Sequence, residues 1–231
     1  MTRARILLIR HGQTDWNNDG RWQGQLDIPL NDVGLEQAAA LAAHLQGRPI
    51  RAVHTSDLAR AQRTAAVIAA ALALPLSVDA RWREMNLGVF QGLTGEQIEV
   101  KYPEEFNATR TDYLNHVIPE GESRRMMQDR SQVALDEILA SFSAEADSEV
   151  AVFSHGGTIK ALLIRLFPDN ADIRGTSIPN TSITTLEYTA DGGWRLIEMG
   201  LTPHLPSDLS EDIYKAGYIP KESAPPSADG A

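Results

Sequence analysis

The sequence contains no cysteine, no long apolar run and no excess of positive charge. The lack of cysteine excludes a disulfide framework, a thiolate nucleophile and a zinc site with cysteine ligands. No apolar stretch reaches the roughly 18 residues of a membrane-spanning helix. The four consecutive apolar residues before Arg10 are too few for a secretory signal. The sequence therefore predicts a cytoplasmic protein that makes no membrane contact and is compatible with a reducing compartment.

Acidic residues outnumber basic residues by 31 to 21, which gives a formal net charge of −10 and a pI near 5.0. Such a surface repels a phosphodiester backbone, so nucleic acid is not expected as a partner. A chain of 231 residues that is 42% hydrophobic can bury one real core. We expect one domain over residues 1–202, with residues 95–130 forming a flap that carries substrate specificity. A tail follows over residues 203–231, and its composition predicts disorder from about residue 222.

Short apolar runs alternate with segments of helical periodicity along most of the chain. Strands are predicted over residues 5–9, 50–54, 76–78 and 149–153, and a hairpin over residues 182–200. Helices are predicted over residues 31–47, 56–75, 123–146 and 156–167, and a shorter one begins at a capping box of Thr94 and Gln97. This alternation predicts a three-layer α/β/α fold with a mostly parallel, doubly wound sheet and an antiparallel hairpin at its edge.

Two predicted helices carry more detailed expectations. In the helix over residues 31–47, Leu35, Ala38, Ala42 and Leu45 share one face, which we expect to be buried. The helix that ends before Pro75 is expected to begin at a cap formed by Ser56 or Asp57.

The same local plan of His, Gly, one variable residue and Thr follows two apolar runs, in ILLIRHGQT and in VAVFSHGGT. Loops that follow parallel strands lie along one edge of a doubly wound sheet, where ligands bind beside helix N-termini. We therefore expect His11, His155 and the loop over residues 55–60 to converge on one pocket.

The arginines near these histidines indicate that the pocket binds an anion, and phosphate fits best. Arg10 adjoins His11, and Arg60 lies in the first turn of its helix, although spacing alone allows Arg63 equally well. Nearby positive charge keeps a histidine neutral, so its free lone pair can attack phosphorus without a metal or a cofactor.

The leaving oxygen in such a reaction needs a proton. Glu84, in the loop after the third predicted strand, is the best candidate donor. The alternative for this carboxyl is a salt bridge to Arg81 or Arg83.

Five segments, RHGQTDWN, RWQG, TSDLARAQRTA, REMNLGVFQG and SHGG, resemble the motifs of the histidine phosphatase superfamily, also called phosphoglycerate mutase-like proteins. The resemblance spans residues 5–165 in the family's motif order. It implies that His11 is the nucleophile, that Glu84 is the proton donor, and that Arg60 rather than Arg63 binds phosphate. The other residues that it implies around the phosphate are Arg10, Asn17, Gln23, Gly24, His155 and Gly156.

The superfamily includes phosphatases and mutases. Cofactor-dependent phosphoglycerate mutases carry a longer basic insertion between the acid and the second histidine. Here Glu84 and His155 are 71 positions apart, and the flap has few basic residues before Arg124. We therefore expect a cofactor-free phosphatase that acts on a small phosphorylated metabolite, such as a phosphoglycerate derivative or a sugar phosphate.

Three alternatives stay open. They are phosphoglycerate mutase-type transfer, a metal-dependent hydrolase that uses His11, Asp15 and His155, and a protein that only binds phosphorylated ligands. A monomer and a homodimer are both compatible with the sequence. The remaining histidines are interpreted as structural or surface residues. The aromatic residues Trp16, Trp22, Trp82 and Tyr113 are interpreted first as core or flap packing.

Overall fold

The computed structural model describes residues 3–141, 148–206 and 209. Its strands are β1 (Arg3–Arg10), β2 (Ile50–Thr55), β3 (Leu76–Val78), β4 (Glu149–Ser154), β5 (Ile183–Thr189) and β6 (Gly193–Leu201). They form one six-stranded sheet in the order β3-β2-β4-β1-β5-β6. The first four strands in that order are mutually parallel, whereas β5 is antiparallel to β1 and β6 is antiparallel to β5. The predicted parallel sheet with an antiparallel hairpin at one edge is confirmed.

Helices cover both faces of this sheet. They are α1 (Asp15–Asn18), α2 (Asp32–Leu45), α3 (Ala59–Leu72), α4 (Gly95–Lys101), α5 (Pro103–Thr111), α6 (Arg124–Ala140), α7 (Gly156–Leu166) and α8 (Asp172–Gly175). Two 3₁₀ turns, Ala80–Trp82 and Gly88–Phe90, lie in the loop between β3 and α4. No helix of the described ranges is long and apolar enough to cross a membrane.

Strand β1 supplies both cores because successive side chains of a strand point to opposite faces of the sheet. Leu7 and Ile9 are fully buried in a cluster with residues of α2 and α3. Ile6 and Leu8 are fully buried in a second cluster, with residues of α6 and α7. The continuous apolar run of β1 is thus the consequence of a strand covered on both sides.

The predicted buried face of α2 was wrong at one residue. Leu35 is 36% exposed, whereas Ala38, Leu41, Ala42 and Leu45 are buried. Gly34, rather than Leu35, faces inward. A Cβ on Gly34 would lie 2.1 Å from the carbonyl oxygen of Gln13, so no side chain fits at this position.

The predicted cap of α3 was also wrong. The helix begins after Leu58, which has no side-chain cap, and Asp27 accepts the hydrogen bond from the Ala59 N–H instead. Asp57 forms a salt bridge with Arg83, and the hydroxyl of Ser56 lies 3.0 Å from a ring nitrogen of His155. Both predicted caps are therefore engaged in contacts with distant parts of the chain.

Helix α6 is shorter than predicted, and the predicted tail lies almost wholly outside the described residues. Helix α6 ends at Ala140, with Ser141 as its C-cap, which is earlier than predicted. Residues 142–147 and the tail beyond residue 209 lie outside the described residues, so the predicted disorder from residue 222 stays a prediction.

The segment over residues 95–130 folds as α4, α5 and the first turns of α6. The predicted capping box of Thr94 and Gln97 is present at the start of α4. Phe90, Ile98 and Met127 belong to a third buried cluster beneath this segment. The segment is therefore packed onto the loop that carries Glu84.

Candidate active site

The ends of β1 and β4 bring two histidines together. Arg10 is the register partner of Ser154, so the residues that follow, His11 and His155, leave the sheet side by side. Their ring centroids are 5.1 Å apart with an interplanar angle of 59°. The predicted convergence of the two His-Gly segments is confirmed.

The hydrogen bonds of His11 define its tautomer. Nδ1 lies 2.6 Å from the carbonyl oxygen of Gly12, which can only accept, so Nδ1 carries the proton. Arg60 Nε donates to Nε2 at 3.2 Å, which requires a lone pair on Nε2. Burial, followed by the charges of Arg60 and Arg10, holds the pKa of His11 well below 6.5. The ring is therefore neutral at pH 7, and its free lone pair is on Nε2.

Close backbone contacts hold His11 in place. A Cβ on Gly12 would lie 2.5 Å from the carbonyl oxygen of Gly34, so only glycine lets α2 approach this loop. On the other side, Asn180 Nδ2 donates to the His11 carbonyl at 2.9 Å, and Thr181 N donates to the Arg10 carbonyl at 3.1 Å. Asn180 could not be predicted from the sequence, because nothing in the local pattern before β5 indicates a contact with the loop after β1.

Arg60 is buried beneath the two histidines, with 1% of its surface exposed. Its guanidinium donates to the carbonyl oxygens of Gly24 at 2.7 Å and Leu26 at 2.8 Å. Burial lowers the pKa of Arg60 to about 10, so the group stays charged at neutral pH. Arg63 is exposed, and the preference for Arg60 is therefore supported by its position.

The Glu84 carboxyl reaches the N-terminal turn of α7. Oε2 accepts from the Gly157 N–H at 2.9 Å, and Oε1 accepts from the Met85 N–H at 2.8 Å. The alternative salt bridges are not formed, because Arg81 and Arg83 bind other carboxylates. A Cβ on Gly157 would lie 2.4 Å from Glu84 Oε1, so the second glycine of SHGG makes room for this carboxyl.

Arg130 of α6 fixes the loop that carries Glu84. Its guanidinium donates to the carbonyl oxygens of Arg81 and Arg83, both at 2.7 Å, and of Glu84 at 2.9 Å. It also forms an ion pair with Glu122 at 2.7 Å. Arg130 could not be predicted as part of the site, because an arginine on a helix is usually a solvated surface charge.

Most of the predicted site residues line one cavity of about 180 Å³. They are Arg10, His11, Asn17, Gln23, Gly24, Arg60, Glu84 and Gly156. His155 is the exception: its ring is fully buried against His11 and does not line the cavity. Burial and the charge of Arg60 hold the pKa of His155 well below 6.5, so this ring is neutral too. Its direct contact with phosphate stays a prediction.

The cavity wall also contains residues with other expected roles or with none. Trp16, Trp22 and Tyr113 line it in addition to any packing role, whereas Trp82 is a core residue. Lys160, which the motifs did not indicate, also lines the cavity and lies one turn along α7 from Gly156.

The residue set of the metal-dependent alternative is not assembled. Asp15 is exposed and accepts a hydrogen bond from Asn31 at 3.2 Å. Within the described part of the chain, no group of three or more His, Cys, Asp or Glu side chains could hold a metal ion.

Comparisons with known proteins agree with this arrangement. The family model of the histidine phosphatase superfamily (branch 1) matches residues 6–202. A curated relative from Yersinia pestis (strain Pestoides F), named "Probable phosphoglycerate mutase GpmB", is 34% identical to this chain in an alignment of 220 residues that covers 91% of this chain and 99% of that protein. Two of the solved structures that are similar to this chain are structures of phosphatases.

The structure of a mycobacterial glucosyl-3-phosphoglycerate phosphatase in complex with VO3 is 35% identical. The structural alignment covers 86% of this chain and 99% of the phosphatase chain, with a TM-score of 0.75. A phosphoserine phosphatase variant from Entamoeba histolytica in complex with phosphoserine is 26% identical. The structural alignment covers 88% of this chain and 100% of the phosphoserine phosphatase chain, with a TM-score of 0.75.

Proposed function

Because the chain belongs to branch 1 of the histidine phosphatase superfamily, we propose that it is a metal-independent phosphomonoesterase acting through a phosphohistidine at His11. The observation that carries the proposal is the neutral His11 ring, whose Nε2 lone pair lies beside the buried charge of Arg60. Glu84 lines the same cavity. The proposed nucleophile, the arginines proposed to bind phosphate and the proposed proton donor therefore line one cavity.

The proposed reaction has two steps. His11 Nε2 attacks phosphorus and the ester P–O bond breaks, while Glu84 gives a proton to the leaving oxygen. Water then attacks the phosphohistidine, the P–N bond breaks, and the Glu84 carboxylate takes a proton from that water. Arg10 and Arg60 stabilise the charge on the phosphoryl oxygens in both steps. On phosphate binding, the Arg60 Nε–H turns from His11 Nε2 to a phosphoryl oxygen.

Hydrolysis is favoured over mutase-type transfer by the short segment between Glu84 and His155 and by the solved phosphatases with the same fold. The mutase alternative is supported by the name of the Yersinia pestis relative. The substrate class proposed here is a small phosphorylated metabolite, such as a phosphoglycerate derivative or a sugar phosphate.

The test is to incubate the protein with labelled phosphomonoesters, to measure phosphate release against positional transfer, and to trap labelled protein at alkaline pH. We expect phosphate release and an acid-labile protein label that is absent in His11→Ala. His44→Ala, which removes an exposed histidine, is the matched control and should keep the label. Positional transfer without phosphate release would support the mutase alternative, and loss of activity with a chelator would support the metal-dependent one. Binding without any turnover would leave only ligand binding.

A further inference from the structure

A strained residue before β5 contacts the loop after β1. Thr181 is fully buried and has a left-handed backbone conformation, with a φ of +55°. A β-branched residue rarely adopts this conformation, and such strain persists only where the surrounding contacts enforce it. In this conformation the Thr181 N–H donates to the carbonyl oxygens of Arg10 at 3.1 Å and His11 at 3.2 Å. The contacts that hold Thr181 in place therefore also bear on the position of His11.

One of these contacts comes from the turn that follows β6. This turn is closed by a hydrogen bond from Leu205 N to the Thr202 carbonyl at 3.0 Å, and it presents His204 to Thr181. His204 Nε2 lies 3.0 Å from Thr181 Oγ1. The Thr181 hydroxyl gives its one hydrogen to the Asn180 carbonyl at 2.8 Å, so His204 Nε2 is the donor to Oγ1. His204 therefore fixes the side chain of the strained residue.

The protonation state of His204 suits this bond. Burial lowers the pKa of His204 to about 4, and the ring of His44, whose centroid is 5.8 Å away, contributes to the shift. The ring is therefore neutral at pH 7, with its proton on Nε2. His204 lies two residues beyond the last residue that the family model matches, and it does not line the cavity.

A second contact ties the chain beyond β6 to the same loop. Gln37 of α2 is buried, and its Nε2 donates to the Leu209 carbonyl at 3.0 Å. Its Oε1 accepts from the Gln13 N–H at 2.9 Å. The chain beyond β6 thus reaches the loop after β1 at two points, through Thr181 and through Gln37.

We propose that His204 is a positioning residue for the phosphoryl transfer. By donating to Thr181 Oγ1 it holds Thr181 in its strained conformation, and Thr181 in turn fixes the backbone of His11 for attack on phosphorus. This inference rests on the proposed phosphatase function. The effect passes through the backbone and involves no contact between His204 and the substrate.

The test measures hydrolysis of p-nitrophenyl phosphate, inhibition by inorganic phosphate and melting curves for a set of full-length variants. His204→Ala removes the donor, and His204→Gln places an amide nitrogen near the position of Nε2. We expect His204→Ala to lower kcat/KM by about 10-fold, because a displaced nucleophile slows attack, while the inhibition constant of phosphate changes by less than about 2-fold. His204→Gln should restore kcat/KM to within about 3-fold of the wild type. His44→Ala, which removes the exposed ring beside His204, is the matched control and should behave as the wild type.

A double variant tests whether the effect passes through Thr181. Thr181→Val removes the acceptor and keeps a β-branched side chain, so adding His204→Ala to it should lower kcat/KM by less than about 2-fold. Full additivity of the two losses would refute the proposal. A lower melting temperature of His204→Ala with unchanged kcat/KM would also refute it, since His204 would then only stabilise the fold.

Failure of the phosphatase proposal can be distinguished from failure of this one. If the wild type hydrolyses no phosphomonoester, the phosphatase proposal fails, and the role of His204 is judged by hydrogen exchange of the Thr181 amide. Faster exchange in His204→Ala than in the wild type and His44→Ala would support the link from His204 to the His11 loop. Equal exchange in the three proteins would refute it.

Discussion

Replacement of Gly157 with alanine tests whether the Glu84 carboxyl acts where the structure places it. A Cβ at position 157 would lie 2.4 Å from Glu84 Oε1 and 3.0 Å from Cδ and Oε2, whereas ordinary contact begins at about 3.4 Å. The carboxyl must therefore retreat by about 1 Å. Because it is the end of a flexible side chain, this retreat costs little. Alanine is also favoured over glycine inside a helix by about 0.5–1 kcal/mol.

We expect Gly157→Ala to keep or slightly raise the melting temperature and to lose activity that depends on the proton donor. A displacement of about 1 Å can cost about 100-fold in rate. With glycerol 3-phosphate, whose alkoxide leaving group needs a proton, kcat/KM should fall by that order. With p-nitrophenyl phosphate, whose leaving group departs without one, the loss should be less than about 5-fold. The assay is phosphate release from both esters, with melting curves of each variant.

The control is Gly95→Ala, at the start of α4, where a Cβ would meet no atom within 4 Å. This variant should match the wild type on both esters. Wild-type activity of Gly157→Ala on glycerol 3-phosphate would refute the assigned position of the proton donor. An equal loss on both esters would mean that the new methyl group obstructs the phosphate site, which would also contradict the reasoning.

Two further predictions concern the histidine pair. The pKa values of His11 and His155 are lowered on folding from an unfolded value of about 6.5, so the unfolded chain binds more protons below that pH. Above about pH 6.5 neither ring should change the free energy of unfolding with pH. Below that pH, each ring should lower the free energy of unfolding by up to about 1.4 kcal/mol per pH unit. The free energy of unfolding, measured with urea between pH 6.5 and 5.5, should fall less steeply with decreasing pH in His11→Ala than in the wild type. An equal slope in the two proteins would contradict the prediction. Ser56→Ala removes the hydroxyl beside His155 Nε2. This change should lower the free energy of unfolding by about 1 kcal/mol and kcat by about 5-fold. A loss of kcat above about 100-fold would mean that Ser56 contacts the substrate directly.

Much of the fold and the inner site could be predicted from the sequence, because both depend on local patterns. The apolar run before His11 predicts a strand buried on both faces, and Leu7 and Leu8 indeed enter different cores. Parallel strands deliver their following residues to one edge of the sheet, so the approach of His11 and His155 follows from topology. The motif order then selected Arg60 over Arg63, and the buried position of Arg60 agrees with it.

Only the tertiary structure decided the contacts that join distant segments. Gly157 and Glu84 are 73 residues apart in sequence, and Arg130 reaches carbonyl groups 46 or more residues away. Such contacts depend on how the layers pack, which the periodicity of a single segment does not encode. The same holds for Lys160, because nothing in the sequence of α7 shows that its side chain lines the same cavity as His11. Local sequence thus determined the strands and the place of His11 at the end of β1, whereas packing between layers determined the positions of Glu84 and Lys160.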